Sequence, residues 1–139
     1  MTDTPIIKTV ILKAPPEKVW AFLTVPEKLA RWFHETDRPI DKQGTDFVWY
    51  SHDTGTADRK MMWGRVLEAV PPTRLVHTFT HEWIEGLETT VTWELTPLKG
   101  GTQLKLTHEG LEKREDQIGA LGDHDKGWDS HLTRLRDVI

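Results

Sequence analysis

Apolar and polar residues alternate most cleanly between Glu88 and Thr96, where Val91, Trp93 and Leu95 fall on one side and Thr90, Thr92 and Glu94 on the other. A period of two is the mark of a strand with one buried face. The same period runs through Thr102 to Glu109, where Leu104, Leu106 and His108 share a side, and through Arg74 to Trp83, where Leu75, His77, Phe79 and His81 do. Asp46 to Tyr50, Met61 to Val70 and Ile6 to Lys13 read as further strands. The register of Met61 to Val70 is ambiguous: a bulge near Leu67 would turn Met62, Gly64 and Val66 inward first and Leu67 later. The connections after Gly44 are short. Ser51 to Arg59 reads as a hairpin loop, and Pro71-Pro72, Glu85-Gly86 and Lys99-Gly100-Gly101 as turns. Strands joined in this way are antiparallel neighbours.

The period changes to that of a helix at two places. Ala14-Pro15-Pro16 ends the first strand and opens a segment with Val19, Trp20 and Leu23 on one face and Phe22 at its margin. Pro26 opens a second short helix, Glu27 to Phe33, which gathers Leu29, Trp32 and Phe33. Near the end, Trp128, Leu132, Leu135 and Ile139 recur at i, i+4, i+7 and i+11, with His131 and Val138 at the edge of the stripe. Asp123 or Asp125 is placed to cap that helix. Glu112 to Gly122 is polar and unassigned. The expected fold is α+β: a strand, two short helices, five strands, then a long helix, with an antiparallel sheet of about six strands curved against the C-terminal helix.

Length changes the picture little. With 139 residues and no repeat or linker, residues 1–139 are expected to form one domain. The absence of cysteine removes disulfides, thiolate metal sites and cysteine nucleophiles from consideration. Met1-Thr2-Asp3-Thr4-Pro5 lacks the basic start of a signal peptide, and no apolar run approaches the ~20 residues of a membrane span, so a cytoplasmic protein is expected. The net charge is −4 with acids and bases interspersed, which argues against a nucleic-acid partner. Seven tryptophans beside one tyrosine are unusual. A flat apolar ring with one N–H donor suits a hydrophobic ligand carrying a polar handle.

If Trp93 faces inward, the expected pocket lining is Trp93, Leu95, Leu104, Leu106, His108, His77 and Phe79 from the sheet, and Trp128, His131, Leu132 and Leu135 from the last helix. Trp20 and Trp32 are expected to fill the core instead. His108 closes a run of inward leucines and so must find a partner or a ligand, which ranks it first among polar pocket groups. His77 and His81 are four residues apart, but on a strand that is ~13 Å, too far to share an ion, so no metal site is expected. Glu68, Glu88 and Glu94 alternate outward, and Asp46 with Arg65 reads as a surface pair. No nucleophile–base motif, phosphate loop or dinucleotide fingerprint appears, so no cofactor and no catalytic residue is expected.

Several stretches resemble a known family. Ala14-Pro15-Pro16-Glu17-Lys18-Val19-Trp20, then Leu23-Thr24-x-Pro26-Glu27-x-Leu29-Ala30-x-Trp32-Phe33, is similar to the N-terminal signature of the START-like (SRPBCC) superfamily. More narrowly it resembles the branch related to the C-terminal domain of the activator of heat-shock protein 90 ATPase. Gly64 to Glu68 running into Pro71-Pro72-x-Arg74-Leu75, Gly101 to His108, and Gly127-Trp128-x-x-x-Leu132-x-x-Leu135 carry the likeness onward. It implies a helix-grip fold with a cavity under the long helix, and a link to stress response. Three roles are open: a binding module for a small apolar or aromatic molecule, a co-chaperone-like partner of a chaperone, and, by analogy of fold alone, an enzyme on a cyclic or polyketide-like substrate. The eukaryotic activators carry an additional N-terminal domain for which this chain has no room, which weakens the second. A homodimer fits the sequence, which names no interface for it.

Overall fold

A computed structural model describes residues 4–51 and 59–139. The hairpin expected over Ser51 to Arg59 therefore lies, between its ends, outside the described residues. Seven strands form one antiparallel sheet: β1 (Ile6–Leu12), β2 (Glu35–Thr36), β3 (Asp46–Ser51), β4 (Arg59–Val70), β5 (Arg74–Phe79), β6 (Thr89–Leu98) and β7 (Gly101–Glu109), in the order β1-β7-β6-β5-β4-β3-β2. Strands β2 to β7 are thus neighbours in chain order, and β1 closes the far edge on β7. Helices α1 (Pro16–Thr24) and α2 (Pro26–Leu29) carry the chain from β1 to the opposite edge, and α3 (Gln117–Val138) follows β7. The two-residue β2 makes the sheet one strand larger than expected. It is too short to show a period in sequence.

Register explains which face holds the core. Lys8, Leu106, Trp93 and Leu75 are cross-strand neighbours, as are Ile6, His108, Val91, His77 and Val66. All but Lys8 are buried. Lys8 occupies an inward position at the edge, where its ammonium reaches Asp125 and Asp129 of α3 at 2.7 and 2.9 Å. Those carboxylates hold its pKa above the usual lysine value although partial burial pulls the other way. At the other end of α3, Lys18 Nζ and Arg31 Nη2 donate to the carbonyls of Ile139 and Val138, which otherwise have no intrahelical donor. The helix is therefore tied to β1 near its middle and to α1 and the α2 turn at its end. Trp128, Leu132 and Leu135 face the sheet, and Trp20 and Trp32 lie in the core. Trp32 is anchored by its N–H to the Phe22 carbonyl at 2.9 Å.

Several expectations are corrected. Helix α3 begins at Gln117, with Asp116 at its cap making no side-chain cap bond, so Asp123 and Asp125 are interior residues and the unassigned segment supplies the first helical turns. A short 3₁₀ turn, Leu111–Lys113, precedes it. Strand β5 ends at Phe79 rather than Trp83: one isolated bridge joins Thr80 to Trp63, and Glu82–Ile84 then forms a 3₁₀ turn that leaves Trp83 71% exposed. The register does shift between Val66 and Glu68, with Met62 and Val66 buried, but Leu67 is the extra residue and faces solvent. Partly buried Ala69 packs against the core beyond it. Just before the bulge, Gly64 presses on β5 so closely that a Cβ there would collide with the Thr78 carbonyl oxygen, and the Thr78 hydroxyl accepts from the Arg65 N–H at 2.8 Å.

Candidate functional site: an aromatic cleft beside the helix

Two buried tryptophan–histidine pairs fasten the inner face. Trp93 donates its indole N–H to His77 Nε2 at 3.0 Å, and His77 Nδ1–H donates to the Thr78 carbonyl at 2.9 Å. Trp128 donates to His108 Nδ1 at 3.0 Å, and His108 Nε2–H meets the Thr89 hydroxyl at 2.8 Å, which itself donates to the Phe79 carbonyl. Each ring must accept on one nitrogen and donate on the other, so both are neutral and of opposite tautomer. Burial pushes the His77 pKa down to about 4, against a small opposing effect of the Thr78 carbonyl. His108 is lowered well below its ordinary value by burial first, then by the neighbouring histidines. His108 is 0% exposed and thus satisfied inside the core, with no open contact to a ligand.

The open volume lies to one side of these relays. A cleft of about 320 Å³ runs between α3 and the β4–β5 edge. Its walls are Phe33 and His34 after α2, Met61 and Met62 of β4, Phe79 and His81 at the end of β5, Trp83 and Ile84 of the 3₁₀ turn, and the face of α3 carrying Ala120, Asp123, His124, Gly127, Trp128 and His131, with Asp116 at the helix cap. Phe33 stacks on Trp128 with centroids 5.4 Å apart and planes at 17°, and His131 meets Phe33 edge-on at 4.6 Å. His124 Nδ1 donates to the Ala120 carbonyl at 2.7 Å, while its Nε2 lies 2.9 Å from His81 Nε2. The rings of His81 and His124 stack at 16°. Burial, then the proximity of His124, brings the His81 pKa down to about 4. Burial, then His34, does the same for His131, which also reaches the Trp32 carbonyl at 3.4 Å.

Of the residues expected to line a pocket, Phe79, Trp128 and His131 stand on the walls of this cleft. Trp93 and His77 border, with Trp128, a gap of about 10 Å³, at the threshold of room for one water. Leu95, Leu104, Leu106, His108, Leu132 and Leu135 are packed into the interior, each at most 4% exposed. The space over the middle of β6 and β7 is solid. Sequence reasoning turned Met62 inward with the bulge but missed Met61, Ile84 and the helix residues before Trp128. One signal was present: His124, Trp128 and His131 recur at i, i+4 and i+7. A larger, shallower depression of about 490 Å³ near Glu85 and Arg114 is mostly polar, and Arg114 there is already paired with Glu85 and Asp116. Among the described residues no group of three or more acidic, histidine or cysteine side chains is gathered to hold a metal, and no helix is long and apolar enough to cross a membrane.

A helix laid along a curled seven-stranded sheet, with a cleft at its side, is the geometry expected of a helix-grip protein. Residues 13–139 match the family model described as activator of Hsp90 ATPase homolog 1-like protein. The chain belongs to that family. Among solved members of this fold, it is similar to a protein of Mesorhizobium loti at 28% identity and a TM-score of 0.81, over 96% of this chain and 95% of the other. An Hsp90 activator from Plasmodium falciparum superposes with a TM-score of 0.77 at 23% identity, over 96% and 94% of the two chains. The Aha1 dimer from Colwellia psychrerythraea gives 0.76 at 17% identity, over 98% and 96%. The latter two likenesses speak to fold alone. No curated protein matches the sequence.

Proposed function

We propose that the chain is a binding module for a small apolar or aromatic molecule, held in the cleft between α3 and the β4–β5 edge. The observation that carries this reading is a concave space of about 320 Å³ walled by Phe33, Phe79, Trp128, Met61 and Met62. Specific small-molecule sites are of this size and character, mostly apolar with a few convergent polar groups. The Trp128–His108 relay holds the main aromatic wall in one orientation, which lowers the ordering cost of binding. Thermal-shift and tryptophan-fluorescence titration with naphthalene-sized compounds tests it. Binding should raise the melting temperature and should be lost in Ala120→Phe, which places a ring in the cleft. If the native chain shows no shift with any such compound, the reading is wrong.

A protein-facing role is a second reading, favoured by the exposure of Trp83 at 71% and Ile118 at 83%. The partner would be a chaperone, in keeping with the family description, or a second copy of the chain. Co-sedimentation with Hsp90 and sedimentation equilibrium of the chain alone distinguish these. A monomer that fails to co-sediment would dispose of both.

A further inference from the structure

From the chemistry of the cleft walls we infer that the ligand is a compact aromatic molecule bearing a protonated amine. This deepens the reading of the cleft as a ligand site and rests on it. Charge is the first argument. Asp116 and Asp123 line the cleft, and neither lysine nor arginine does. Asp116 shares its charge with Arg114 at 2.9 Å, whereas Asp123 has no ion pair among the described residues. An anionic ligand would enter against these carboxylates with no cation to receive it.

The second argument is the direction of the hydrogen bonds. His124 Nδ1 faces the Ala120 carbonyl and must donate to it, while Nε2 shares a single hydrogen bond with His81 Nε2, so neither nitrogen of His124 is left for a ligand. The indole N–H of Trp128, likewise, is already given to His108. Asp116 and Asp123 offer acceptors, as does Nε2 of His131, whose Nδ1 faces the Trp32 carbonyl. An ammonium supplies donors and positive charge together. The faces of Phe33, Phe79 and Trp83 accept its ring, and a cation close to an indole is further stabilised.

Titrating the full chain at neutral pH and low salt with 2-naphthylmethylammonium, 2-naphthylmethanol and 2-naphthoate separates this inference from the reading beneath it. The cation is expected to bind about fivefold more tightly than the neutral alcohol, with the carboxylate weakest. Asp123→Asn should reduce the cation's affinity about threefold and leave the alcohol unchanged, and Asp123 is exposed, so the variant should fold. If the alcohol binds but the carboxylate matches or exceeds the amine, the amine inference is overturned while the cleft remains a ligand site. If none of the three binds, both fall.

Discussion

Trp128 and His108 are joined by an indole N–H to imidazole nitrogen bond of 3.0 Å, which links the inward face of α3 to the middle of the sheet's apolar floor. It does two things at once. It satisfies a histidine that is 0% exposed, and it fixes the ring that forms the inner wall of the cleft.

Trp128→Phe keeps much of the packing and removes the donor. His108 Nδ1 would then be a buried acceptor without a partner, a loss of about 2 kcal/mol. Urea unfolding should show that decrease in stability. Binding of a neutral aromatic compound should weaken in the same variant, because the wall has lost its anchor. A variant as stable as the parent would mean that the relay contributes nothing net.

Acid should destabilise the fold before the carboxylates titrate. His77, His81 and His131 have folded pKa values of about 4, below the 6.5 of an unfolded histidine, and His108 is lowered in the same direction. The unfolded chain therefore binds more protons than the folded one as pH falls through 6.5, so the stabilisation is complete above that value and is lost progressively towards 4. His77, 2% exposed, accounts on its own for a change on the order of 3 kcal/mol across the window. Chemical denaturation at several pH values from 7.5 to 5 should show a steady fall, shallower in His77→Gln. A flat profile contradicts neutral buried rings.

Gly64→Ala should be among the most damaging small substitutions in the sheet. The added methyl meets the Thr78 backbone oxygen, which cannot move without breaking the β4–β5 pairing. A loss of at least about 2 kcal/mol is expected by thermal or urea unfolding.

Gly122→Ala should act in the opposite direction. Gly122 is exposed within α3, and a Cβ there meets nothing within 4 Å. Replacing a helical glycine by alanine gains about 0.5–1 kcal/mol. Hydrogen exchange should slow across the first half of α3, with the cleft unaltered.

The sheet was legible because its burial follows the pleat. Val91, Trp93 and Leu95, then Leu104, Leu106 and His108, announce an inner face by alternation alone, and every one of them is buried. The two short proline-led helices were legible for the same local reason, although the second ends at Leu29, and Trp32 and Phe33 follow it in a turn instead of lying on it. The first half of α3 was not, because Gly119 and Gly122 weaken the helical signal and Ala120 is the one buried residue before Trp128. The end of β5 was hidden because Trp83 looks like a strand residue and only its position in a 3₁₀ turn exposes it. The cleft itself was partly legible. Alternation identifies which side chains point inward but not whether they meet across the gap. Leu104 and Leu106 do meet their neighbours, and the space opens instead where Phe79, Trp128 and His131 diverge around His124.

The pairing of β1 with β7 sets Ile6 opposite His108 and Leu12 opposite Thr102. A newly made chain can assemble the meander from β2 onwards as it emerges, but β1 must wait for almost the whole sequence before its partner exists. Closing so long a loop carries an entropic cost that no local contact repays, which delays the step. Until then Ile6, Val10 and Leu12 have no shelter, and the unpartnered edge of β7 can recruit the β1 of another copy. Refolding at high protein concentration is accordingly where this fold is most prone to exchange strands between chains.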